Sequence, residues 1–176
     1  MNTDSSPIGV FDSGMGGLTV LRALRKQLPG ESFLYLGDTA RLPYGTKSAA
    51  TVQRYALQAA RILVDRGVKA LVVACNTASA VALASLQRQF APLPVLGVVE
   101  PGAQVAAATC RRRILVLATE STVNGGAYQR RLLTLRPDLQ VFARPCPLLV
   151  ALAEEGRHSG PCLLYTSDAA DEVVPV

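Results

Sequence analysis

The sequence predicts an α/β fold built of parallel βαβ units, and three observations carry that expectation. Short apolar runs alternate with stretches of helical spacing from Ile8 to about Gly156, an order that places right-handed crossover helices over a parallel sheet. The 49% of hydrophobic residues are mainly Ala, Leu and Val, with 5% aromatics and no tryptophan, which suits close packing of helices on a sheet. The turns that follow strand candidates are small, polar or glycine-rich, whereas those leading back into strands look generic.

Residues 8–11 form the first strand candidate, closed by "DSGMGG" (12–17). Leu18, Leu21, Leu24 and Leu28 then keep helical spacing until Pro29-Gly30 stops it. A second strand, 32–36, leads into "GDTARLPYG" (37–45), and Val52, Tyr55, Ala59, Ile62 and Leu63 mark a helix ending before Gly67. The third strand, 70–74, runs into "CNTAS" (75–79) and a helix over 78–90. Strand 95–99 precedes "EPG" (100–102) and a helix over 102–109; strand 114–118 precedes "TEST" (119–122) and a helix over 126–135. Strand 140–143 and a helix over 147–155 complete the pattern.

Composition narrows the classes of function. The net charge is +5, but the one dense basic run, Arg111-Arg112-Arg113, lies at a helix-to-strand turn without interleaved aromatics. It reads as a solvated turn rather than a nucleic-acid track, and a small acidic substrate is the better use of modest positive charge. The cysteines at 75, 110, 146 and 162 form no C-x-x-C pair, and with His158 as the single histidine no metal site is expected. Residues 70–87 carry no charge, yet Asn76, Thr77, Ser79 and Ser85 interrupt a run at the short limit of about 18 residues for a membrane span. The start "MNTDSSP" lacks the basic and apolar pattern of a signal. The expectation is a soluble cytoplasmic protein with reduced thiols and no membrane or nucleic-acid partner.

In open parallel sheets, ligands bind beyond the carboxyl ends of the strands, so the strand-following turns define the candidate site. "DSGMGG" is neither a G-x-G-x-x-G fingerprint nor a P-loop. Its glycines equally suit a tight turn or a ligand contact. Asp12, a carboxylate ending a buried strand, needs a partner, and an ammonium group would serve. Cys75 ends a central strand just before a helix, where the helix N-terminus would favour the thiolate. A strand-end cysteine is also commonly an inert small hydrophobe. Asn76, Thr77 and Thr119 add donors for a carboxylate on the same edge. A potential base beside a carboxylate cradle, without a second histidine or a metal, suits proton abstraction better than hydrolysis.

The stretches "FDSGMGGLTVLRAL", "YLGDTARLPYG", "LVVACNTASA", "GVVEPGAQ", "TESTVNGGAY" and "CPLLVALAEEG", in that order, closely resemble the glutamate racemase family. The resemblance implies a cofactor-independent enzyme that makes D-glutamate for peptidoglycan, with two pseudo-symmetric α/β domains and the site between them. In that family two cysteines on opposite faces of the α-carbon exchange a proton, and Cys75 matches the first. Asp12, Ser13, Pro43, Tyr44, Gly45, Asn76, Thr77, Thr119 and Thr122 match positions that line the substrate, glutamate. No metal is implied, and a homodimer is one assembly open to the full-length chain.

The family's second cysteine lies in a G-C-T-H motif that this sequence lacks. Cys146 matches a different family position, Cys110 falls at the far end of the fold, and Cys162 lies in "CLLYTSDAADE". That segment resembles the one-frame translation of a sequencing adapter. The expected division is therefore a first domain over 1–98, a partial second domain over 99–161 and a non-native tail over 162–176. On this reading the chain is an inactive fragment. A related racemase or decarboxylase with another substrate remains open, as does a flavodoxin-like nucleotide or flavin module; the latter leaves Cys75-Asn76-Thr77 unexplained.

Overall fold

The computed structural model describes residues 5–154, 156–157 and 159–160. The proposed tail, Cys162 and His158 lie outside these residues. Two parallel sheets form. The first contains β1 (Ile8–Asp12), β2 (Phe33–Gly37), β3 (Ala70–Val73) and β4 (Val95–Gly97) in the order β2-β1-β3-β4. The second pairs β5 (Arg113–Ala118) with β6 (Gln140–Pro145). The helices between them are α1 (Gly17–Gln27), α2 (Ala49–Val64), α3 (Asn76–Val81), α4 (Leu83–Phe90), α5 (Val99–Thr109), α6 (Glu120–Gly125), α7 (Ala127–Leu135) and α8 (Pro147–Glu154).

The twofold side-chain period of a strand sorts the first sheet into two faces. Val10 and Val72 pack with Val20, Leu21 and Leu24 of α1. Phe11, Leu71 and Val73 point the other way, into the main core with Val52, Ala56, Ala59 and Leu63 of α2 and Leu86 of α4. The second sheet is covered on one face, where Ile114, Val116 and Val141 meet Ala103, Ala107 and Leu132 of α5 and α7. On its other face Leu115, Leu117 and Phe142 are 48%, 44% and 49% exposed. Leu115 and Phe142 are register partners, so this is a continuous apolar strip.

The six strands fall where the sequence places them, but several boundaries differ for identifiable reasons. The helix expected over 78–90 begins at Asn76 and breaks at Ala82 into α3 and α4. Gln53 Nε2 on α2 donates to the Val81 carbonyl at 2.8 Å, taking an acceptor from the helical ladder. The strand expected over 95–99 stops at Gly97, because the Val98 N–H turns to Ser79 Oγ at 3.2 Å. "EPG" is then no turn but part of the first turn of α5, where Pro101 needs no helical N–H partner. "TEST" opens an unexpected short helix, α6, which Gly126 ends at φ +63°, before α7 begins. None of the described helices is long and apolar enough to cross a membrane.

Candidate active site

The carboxyl ends of β1, β3 and β5 and the segments that follow them enclose a cavity of about 570 Å³. All ten residues singled out in the sequence line it: Asp12, Ser13, Pro43, Tyr44, Gly45, Cys75, Asn76, Thr77, Thr119 and Thr122. The reason is topological. In a parallel sheet all strand-following turns emerge at one edge, so residues far apart in sequence converge there.

Cys75 is 5% exposed and caps α3, its Sγ accepting the Ala78 N–H at 3.4 Å and donating to Ser13 Oγ at 3.2 Å. The thiolate expected at this helix start is not the resting form. Burial pushes the thiol above its ordinary range, and the charge of Asp12 adds to the rise. The hydrogen bonds from Ser13 and Ala78 oppose it without overcoming it.

Asp12 has partners within the chain for one of its two carboxylate oxygens. Its Oδ2 accepts the Gly14 and Gly17 N–H groups at 3.1 and 3.0 Å, which fixes the "DSGMGG" loop over the strand end. Tyr35, whose hydroxyl donates to the Gly14 carbonyl at 3.0 Å, holds the same loop from β2. Burial, then the negative charge of Asp12 and of a Cys75 thiolate, push its phenol up to about 12, so it stays a neutral donor. Sequence reasoning passed over Tyr35; its place in "YLGDTARLPYG" was the available signal.

Tyr44 contributes ring and backbone rather than hydroxyl. It is 1% exposed, packed between Phe11 and Tyr55, and its O–H donates to Asp38 Oδ2. Asp38 also accepts from Arg41 Nε, so the acid fastens the loop that carries Pro43 and Gly45. Gly45 touches the opposite wall. A Cβ there would lie 2.4 Å from Thr119 Cγ2, an approach only glycine allows.

Three threonine hydroxyls close a triangle across the two sheets' edges. Thr77 Oγ1 lies 3.0 Å from Thr119 Oγ1 and 3.2 Å from Thr122 Oγ1, and the last two are 2.9 Å apart. Each hydroxyl has one proton, so the closed ring uses all three. An arriving carboxylate must open the ring to capture a donor. Among the described residues no Lys, Arg or His lines the cavity. The positive net charge is therefore not gathered at this site, contrary to the use suggested for it. Nor do the described residues gather three His, Cys, Asp or Glu side chains that could hold a metal ion. Cys110 lies at the far end of α5, donating to the Arg113 carbonyl, and neither it nor Cys146 lines the cavity.

The cavity thus offers one buried thiol, one carboxylate and a ring of neutral donors, a set able to bind an acidic substrate and move a proton. Comparison with known proteins agrees with that chemistry. A family model described as Asp/Glu/Hydantoin racemase matches residues 8–174, a span that includes the whole of the adapter-like segment. A glutamate racemase from Geobacter metallireducens is 55% identical over 150 residues, which is 85% of this chain and 55% of the relative. One from Thermus thermophilus is 49% identical over 178 residues, 98% of this chain and 66% of the relative. The structure superposes with TM-score 0.88 on a crystal structure of glutamate racemase from Francisella tularensis in complex with D-glutamate, at 42% identity, covering 94% of this chain and 62% of that one. The chain spans somewhat more than half the length of these relatives.

Proposed function

The chain belongs to the Asp/Glu/hydantoin racemase family, and from that premise we propose that it carries the Cys75 half of a glutamate racemase site. In this reading the protein is an isomerase that interconverts L- and D-glutamate without a cofactor and supplies D-glutamate for peptidoglycan in the cytoplasm. The observation that carries it is the position of Cys75, a buried thiol flanked by Asp12, Ser13 and neutral donors in a single cavity. The ends of the first sheet and the start of the second fit a division into domains 1–98 and 99–161.

The chemistry follows from the surroundings of the thiol. An α-proton is far less acidic than a thiol of pKa about 8.5, and each unit of mismatch costs about 1.36 kcal/mol. Burial of Cys75 makes its thiolate a stronger base once formed. The ammonium group of a bound amino acid supplies the charge that favours that thiolate. Neutral donors from Asn76, Thr77 and Thr119 take the substrate carboxylate and stabilise the negative charge that builds on it as the proton leaves. A nucleotide or flavin would find no cationic side chain for its phosphates among the described residues lining the cavity.

Inversion requires a second acid on the opposite face of the α-carbon. Cys75 is the one thiol among the described residues lining the cavity, so the 176-residue chain alone is expected not to interconvert the enantiomers. The test is circular dichroism of L- and D-glutamate with the protein completed to the length of its relatives and no cofactor added. Racemisation should occur and Cys75→Ala should abolish it, with the far-UV spectrum unchanged. Normal turnover by a folded Cys75→Ala protein would remove the assignment.

A further inference from the structure

The motif "TESTVNGGAY" ends in Tyr128, a residue without a task in the chemistry above. Tyr128 stands on α7, beside the second sheet, and lines the cavity. Its hydroxyl donates to Asn76 Oδ1 at 2.6 Å. Asn76 opens α3 at the end of the first sheet's β3 and lines the same cavity from the opposite side of the molecule. This hydrogen bond therefore bridges the two sheets at the rim of the site.

A carboxamide carries its acceptor and its two donor hydrogens on different atoms. Asn76 is exposed and stands on the first turn of a helix, so its own surroundings leave the amide free to turn over. Turned one way it presents N–H groups to the cavity; turned the other way it presents an oxygen that would repel a carboxylate. A phenol that donates to Oδ1 selects the first orientation. The ring itself is confined from behind by α5, where a Cβ on Gly102 would stand 3.2 Å from the Tyr128 oxygen. Partial burial raises the phenol's pKa, so it remains a donor throughout the neutral range.

We infer that Tyr128 is a positioning residue that locks the Asn76 carboxamide with its Nδ2 hydrogens available to a substrate carboxylate in the cavity. The substrate part of this inference rests on the glutamate reading. Tyr128 touches no reacting atom; it acts through Asn76.

The experiment uses the 176-residue chain labelled with ¹⁵N, with the Asn76 side-chain amide assigned by its loss in Asn76→Ala. Tyr128→Phe removes one oxygen and should shift or broaden that amide pair while the backbone spectrum stays native. L- and D-glutamate are then titrated into each variant. Binding should weaken about fivefold in Tyr128→Phe, the size of one net hydrogen bond. It should weaken no further when Tyr128→Phe is added to Asn76→Ala. Asn76→Asp keeps the acceptor for Tyr128 but offers no N–H, and should lose affinity by at least as much as Asn76→Ala. An Asn76 amide untouched by Tyr128→Phe overturns the inference even if glutamate binds. Equal losses with and without Asn76 also overturn it, since they would mark a general packing role. A shifted amide with no glutamate binding by the wild-type chain overturns the substrate-directed role of Tyr128 in this chain, whereas the glutamate reading is decided by the completed protein.

Discussion

At the scale of single residues, the reactivity of Cys75 is the most direct reporter of the site. Its pKa is raised by burial, so the thiolate is scarcer at neutral pH than for a free cysteine. Alkylation of Cys75 by iodoacetamide, followed by peptide mass spectrometry, should therefore be slow near pH 7. It should climb with pH to a midpoint above the ordinary thiol value of about 8.5. A midpoint at or below that value would mean that the helix start and Ser13, not burial, set its ionisation. Thr77 offers a second measurement. Thr77→Val breaks the ring of threonine hydroxyls and removes a donor from the cavity. If that donor serves a carboxylate, the loss is about 1.5–3 kcal/mol, seen as a weaker glutamate affinity with little change in melting temperature. An unchanged affinity would leave Thr77 a purely structural link between α3 and α6.

At the scale of elements, the 3-10 turn Tyr44–Thr46 packs closely against Thr119, the N-cap of α6. Gly45→Ala would place a methyl carbon 2.4 Å from Thr119 Cγ2. Overpacking of this kind costs about 1–3 kcal/mol, and here it would also push Thr119 away from Thr77. Thermal unfolding should show the lower stability, and because Thr119 Cβ would itself stand 2.5 Å away, the companion change Thr119→Ser should recover little of it. A Gly45→Ala protein as stable as the parent would mean that the turn moves freely. The helix breaks belong to this scale too. Helical spacing in 78–90 was legible from the sequence, but the donation of Gln53 to Val81 pairs residues 28 apart in the chain, and periodicity carries no trace of it. Helix α6 was missed because its six residues, "ESTVNG", are too short and polar to show a period.

At the scale of the whole molecule, the two sheets differ in how they are covered. The first has helices on both faces, whereas the second leaves Leu115, Leu117 and Phe142 open to solvent among the described residues. Exposed apolar strips beside strand edges favour self-association. The 176-residue chain should bind anilinonaphthalene sulfonate and scatter light more as its concentration rises. Phe142→Lys, on the open face beside the cavity-lining Leu115, should reduce both signals without changing the circular dichroism. Equal dye binding by the parent and Phe142→Lys would show that the strip is not the sticky surface. Within the candidate site Ser13, Pro43, Tyr44, Gly45 and Thr122 were singled out through the family resemblance; the sequence by itself determined the α/β class, the six strands and the turns that meet there. Those depend on local hydrophobic period and on the rule that parallel strands deliver their following turns to one edge. Only the tertiary structure decided the ionisation of Cys75, the internal partners of Asp12, the commitment of the Tyr44 hydroxyl to Asp38 and the hold of Tyr128 on Asn76. Each of these depends on how deeply a group is buried and on which distant side chain faces it, and both are properties of packing between elements that no local pattern encodes.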